Sequence, residues 1–263
     1  MKNEKKVPDS KFIIHNSASK ASFGHPLRAI ANALLIFLLS QIIAALLIEL
    51  FAAVWLSRAP TVSVLGYSAT AQFFYILIAE LLAIGSVLWL LKRRKLNLTD
   101  IGWGRRLQSR DFKMAVGGFI TFFVLLVVVN ASLTALFPSY NVDQTQDVGF
   151  KTVTLTADKI LAFVALVVLP PLGEEILMRG YLFSALRARW SFVVAGLTTS
   201  VLFGAAHLLT GADDDGLLWA AGVSTLVLSL VLVYLREKTG ALYAPIMVHG
   251  LNNILAFSVY FST

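Results

Sequence analysis

Glu174 and Glu175 stand side by side in LAFVALVVLPPLGEEILMRGYLF, an apolar stretch long enough to cross a bilayer. An acidic side chain at bilayer depth costs on the order of 3 kcal/mol on insertion scales, so an adjacent pair is by default a functional-site hypothesis. Arg179 follows Glu175 by four residues. Residues so spaced share a helical face and can pair. Glu174 lies about 100° further round the helix, has no local cation and sits beside the Pro170-Pro171 break. Two more motifs sit in apolar stretches downstream: Phe203-x-x-x-His207 in VLFGAAHLL, and His249-x-x-x-Asn253 in ALYAPIMVHGLNNILAF, with Asn252 as the neighbouring amide. Each has a plainer reading alone: neutralisation of Arg179 by both glutamates, an interfacial histidine, interhelical hydrogen bonding. Together they hold what non-covalent amide hydrolysis needs. A glutamate and a histidine can activate a water as general base, while a second histidine and an asparagine amide stabilise an oxyanion.

The elements that must position these groups are membrane helices. The chain of 263 residues is 57% hydrophobic, and only 14% of it is charged; about 25% charged is usual for soluble domains. Mean hydropathy is +0.77. Apolar runs of about 20 residues read as spans, here near 29–55, 72–91, 114–137, 159–186, 192–209, 217–235 and 241–261. The fold class is all-α, a polytopic transmembrane bundle of seven to eight helices. The count depends on Pro170-Pro171, because proline removes a backbone donor and kinks or splits a helix. Residues 1–28 form a polar tail, 29–156 the N-terminal spans with a basic loop at 92–113, and 157–261 the region that carries the motifs.

Lys and Arg concentrate before the first span, between the second and third, and after the fourth and sixth, while Arg58, Lys151 and Lys159 fall on the other side. Asp213, Asp214 and Asp215 fall there too. The positive-inside rule then puts the N-terminus in the cytoplasm. The polar lead is too long, and the first apolar run too extended, for a cleavable signal peptide. The net charge of +7 does not point to nucleic acid, since it gathers at span ends, where it meets anionic lipid. The chain has no cysteine, so disulfides and thiolate metal sites are excluded. Of its four histidines, His15 and His25 lie in the polar tail and His207 and His249 in apolar stretches.

EEILMR, FGAAH and HGLNN, in that order on three spans, resemble the EExxxR, FxxxH and HxxxN/D motifs of the CPBP family of intramembrane proteases. This is the CAAX prenyl protease and bacteriocin-processing, or Abi, family, also called the CAAX amino-terminal protease family. The likeness covers roughly residues 161–256, with Met178 where the family often has Phe. It implies an intramembrane endopeptidase acting on a peptide or membrane-protein substrate. Glu174 would be the base acting with His207 on a water, and His249 and Asn253 would bind the oxyanion. Glu175, Arg179 and Phe203 would support them. His207, His249 and Glu174 could also supply three ligands to a catalytic zinc with an open fourth position; there is no HExxH, and catalysis without a metal is the favoured expectation. The expected location is a bacterial plasma membrane. Competing readings are a non-catalytic scaffold or bacteriocin-immunity protein of the same fold, and a transporter relaying protons through Glu80, Glu174 and Glu175. Glu49 lies near the end of the first span, Glu80 deeper in the second, and Tyr181 seven residues after Glu174, where it could line the site. Trp55, Trp89, Trp190 and Trp219 fall near span ends, where tryptophan anchors belong.

Overall fold

Leu46, Leu50 and Trp55 are more than half exposed, as are Val116, Ile120 and Val127 on another helix. An apolar surface this continuous is the mark of a chain whose solvent is lipid. The computed structural model describes residues 23–55, 63–65, 67–144, 148–150, 153, 155–208 and 217–261. His15, Arg58, Lys151, the acidic run Asp213 to Asp215 and most of the polar tail lie outside the described residues. Among those described there is no strand, and the helices are seven. They are α1 Pro26–Trp55, α2 Ala69–Arg93, α3 Ser109–Leu136, α4 Thr156–Arg187, α5 Phe192–His207, α6 Trp219–Thr239 and α7 Tyr243–Tyr260. A 3₁₀ turn, Leu98–Ile101, lies between α2 and α3. The protein is an integral membrane helical bundle. Five of the helices, α1 to α4 and α6, are long and apolar enough to cross a membrane; α5 is a shorter apolar helix, and α7 carries the His-Asn motif over 18 residues.

Helix ends follow local chemistry. Ser68 and Ser191 cap α2 and α5 by accepting from the N–H of Ala71 and Val194, which satisfies donors the first turn would leave bare. Gly240 ends α6 at φ 69°, a left-handed position that favours glycine. On α1 the buried residues are small, chiefly Ala29, Ala33, Ser40, Ala44 and Ala52, and small residues let helices approach closely in a membrane.

The central element is α4, which touches α1, α2, α5, α6 and α7. The sequence leaves open whether its prolines split it. They do not. It runs from Thr156 to Arg187 with two π-helical stretches, Val164–Val168 and Ile176–Leu182. The first of these absorbs the proline pair. The Leu166 carbonyl would accept from residue 170 in an α-helix and from 171 in a π-helix, and both are proline, so neither has an N–H to give. Its donor comes from another helix: Asn253 Nδ2 of α7 reaches Leu166 O at 2.9 Å.

Candidate active site

The expected pairing of Glu175 with Arg179 is present. Arg179 Nη1 donates to Glu175 Oε1 at 2.8 Å, with both side chains fully buried. The same oxygen accepts from His249 Nδ1 of α7 at 2.9 Å. A carboxylate bonded to arginine can only accept, so the ring carries its proton on Nδ1 and turns Nε2 the other way. There Nε2 faces Glu174 Oε2 at 3.8 Å. That oxygen is buried and has no hydrogen-bond partner. The two adjacent glutamates thus divide. Glu175 orients the imidazole, and Glu174 confronts its far nitrogen.

Phe203 of α5 is the apolar hub. The Arg179 guanidinium lies 4.5 Å from its ring centroid, in cation–π range. Its edge contacts bring in both histidines, His207 at 4.9 Å and His249 at 6.0 Å between centroids. The His207 Nδ1 donates to the Phe203 carbonyl at 2.9 Å, which directs its Nε2 away from its own helix. Helix α5 reaches this position through a glycine contact with α6. A Cβ on Gly204 would stand 2.9 Å from the Gly222 carbonyl oxygen, so the small residues that promised a close helix approach do permit one.

Asn253 is one turn beyond His249 and holds the Leu166 carbonyl with its amide. Its Oδ1 accepts from Asn252 at 3.2 Å. An amide has two N–H donors, and the Leu166 bond uses one. The site residues expected on α4 and α7 therefore meet directly. His207 joins them through Phe203, and His249 is the histidine placed opposite Glu174.

Two further polar groups lie on or against α4. Glu80 of α2 is buried and packs on Gly173 of α4, where any added methyl would fall on the Glu80 carboxylate. Tyr181 is fully buried, and its hydroxyl accepts from Asn32 Nδ2 of α1 at 2.9 Å. Asn32 carries no motif, and its signal in the sequence is an amide set among apolar neighbours on α1. A small cavity of about 30 Å³ reaches Glu174 between Leu34 and Phe37 of α1, Met178 of α4, and Leu202 and Ala206 of α5. That is room for at least one water.

Among the described residues no three His, Cys, Asp or Glu side chains come together as a metal-ligand set, so the residues as placed do not form the zinc site that His207, His249 and Glu174 could offer.

Comparison with known proteins concerns part of the chain. Residues 156–255 match the family model described as type II CAAX prenyl endopeptidase Rce1-like. A stretch of 99 residues is 35% identical to an uncharacterized 24.3 kDa protein of Escherichia coli, covering 35% of this chain and 41% of that protein. The chain thus spans less than half the length of the curated relative it matches. No solved structure matches it.

Proposed function

Because residues 156–255 place this chain in the CPBP family of CAAX-type membrane proteases, we propose that it is an intramembrane endopeptidase that hydrolyses a peptide bond with a water activated by Glu174. The observation that carries this reading is the double use of Glu175 Oε1, which holds Arg179 at 2.8 Å and His249 at 2.9 Å. That arrangement leaves Glu174 and His249 Nε2 face to face.

In this reading Glu174 takes a proton from the water as its oxygen attacks the carbonyl carbon. The carbonyl oxygen becomes an oxyanion. It is met by the second amide N–H of Asn253 and by His249 Nε2, which donates when the ring is doubly protonated and Nδ1 remains tied to Glu175. Glu174 then returns its proton to the leaving amine, so the carboxylate is regenerated and no covalent intermediate forms. His207 assists in holding the water beside Glu174. Glu175 and Arg179 fix the imidazole, and Phe203 packs the guanidinium and both rings. None of these steps uses a metal. Treatment with 1,10-phenanthroline is expected to leave cleavage unchanged, and loss of activity restored by added zinc would overturn this part of the reading.

We place the N-terminus on the cytoplasmic side, from the distribution of Lys and Arg, and the protein in a bacterial plasma membrane. The substrate is a peptide or membrane protein whose scissile bond reaches bilayer depth. The test is quantitative peptidomics of cells carrying the wild type or Glu174→Ala at equal protein levels. A precursor should accumulate in the variant, and its product should vanish. Identical peptide pools would count against proteolysis and favour the scaffold.

A further inference from the structure

A second and wider cavity lies outside the site, between the exposed apolar faces of α1 and α2. Its volume is about 450 Å³, and Leu35, Leu39 and Ile43 of α1 face Leu81, Gly85 and Trp89 of α2 across it. Gly85 forms part of its floor. A Cβ there would meet nothing within 4 Å, so the missing side chain leaves real space and is not a packing requirement.

The groove has a polar end. Asn32 and Trp89 line it there, and each is followed or preceded by an arginine one helical turn further out. Arg28 precedes Asn32 by four residues, and Arg93 follows Trp89 by four, so each pair shares a helix face. The Arg93 guanidinium stacks over the Trp89 ring at 4.3 Å. Both arginines are exposed, as is Lys92 beside them. No acidic residue occurs between 26 and 48 on α1 or between 81 and 99 on and after α2, so nothing on either wall opposes an anion. The geometry is that of an amphiphile: an apolar slot in the hydrocarbon layer, a tryptophan at headgroup depth, and cations on both walls just beyond it.

We infer that this groove is a binding site for an anionic glycerophospholipid of the surrounding leaflet, with one acyl chain between α1 and α2 and its phosphate between Arg28 and Arg93. The site stands apart from the proteolytic reading and does not depend on it. One residue links it to α4. Asn32 lines the groove and also donates to Tyr181 of α4, so an occupant there braces the helix whose opposite face, through Leu34 and Phe37, borders the cavity at Glu174.

The experiment is native mass spectrometry of the full chain, delipidated in detergent and titrated with dioleoyl phosphatidylglycerol, dioleoyl phosphatidylcholine or S-farnesylcysteine. The wild type should retain one phosphatidylglycerol with at least tenfold preference over phosphatidylcholine. Gly85→Phe fills the groove from within and should lose that adduct at least tenfold, while Gly85→Ala should keep it. Leu39→Trp narrows the opposite wall and should repeat the loss, so the result does not hang on one variant. Arg28→Gln with Arg93→Gln should abolish the preference for the anionic lipid. Retention of phosphatidylglycerol by a folded Gly85→Phe or Leu39→Trp, or equal retention of both phospholipids by the wild type, would overturn the proposal. So would displacement of phosphatidylglycerol by equimolar S-farnesylcysteine, which would give the groove to an isoprenoid.

Discussion

Removing Arg179 and removing Glu174 should have opposite signatures. Arg179 and Glu175 are a fully buried ion pair, and breaking such a pair from one side leaves an uncompensated charge. Arg179→Leu is therefore expected to destabilise the fold by about 3–5 kcal/mol, read as a lower unfolding midpoint in detergent. Glu174 Oε2 has no hydrogen-bond partner, so Glu174→Gln should leave that midpoint within about 0.5 kcal/mol of wild type while slowing cleavage roughly 10²–10⁴-fold, the usual worth of a general base. A matched loss of stability in both variants would reduce the glutamate pair to a structural unit. The Glu175–Arg179 contact was legible in the sequence because it is local, four residues apart on one helix. The bond from Glu175 to His249 was not, since it joins residues 74 apart in the chain and depends on how α7 packs on α4. For the same reason the motifs alone did not reveal which histidine stands opposite Glu174.

The proline pair of α4 acts on another element. Pro170-Pro171 leave the Leu166 carbonyl without a donor in its own helix, and Asn253 supplies one. Asn253→Ala should cost about 1–3 kcal/mol for a polar group left unsatisfied. Pro170→Ala returns an N–H to the i+4 position, so the same Asn253→Ala change should cost less in that background. Such coupling is what a double-mutant cycle measures, and strictly additive effects would mean that the proline does not govern the need for this bond. Between α5 and α6, Gly204 and Gly222 meet so closely that a Cβ on Gly204 would stand 2.9 Å from a backbone oxygen. Gly204→Val should therefore push α5 outward and carry Phe203 and His207 with it, lowering activity more than stability would explain; unchanged activity would show that α5 need not be held there. A break at the prolines could be read from the residues, but its form could not. The π stretches keep α4 continuous because a donor on α7 compensates the break, and that partner lies far along the chain.

At the scale of the whole molecule, the all-helical membrane bundle was the most legible feature, because long apolar runs and few charges leave little alternative. The two shorter helices were legible too, since the spans read near 192–209 and 241–261 meet α5 at Phe192–His207 and α7 at Tyr243–Tyr260. Orientation is testable directly, because the chain has no cysteine and single introduced thiols report without background. Ser139→Cys should react with a membrane-impermeant maleimide in intact cells, and Arg106→Cys only after permeabilisation; the reverse pattern would invert the topology. The most direct test of the central claim uses the purified chain in lipid vesicles, with the precursor that accumulates in Glu174→Ala cells, in water enriched in ¹⁸O. The wild type should cut the precursor and place one ¹⁸O in the new carboxyl terminus, with Glu174→Gln at least about 100-fold slower at equal folded protein. Cleavage by Glu174→Gln at the wild-type rate would contradict it.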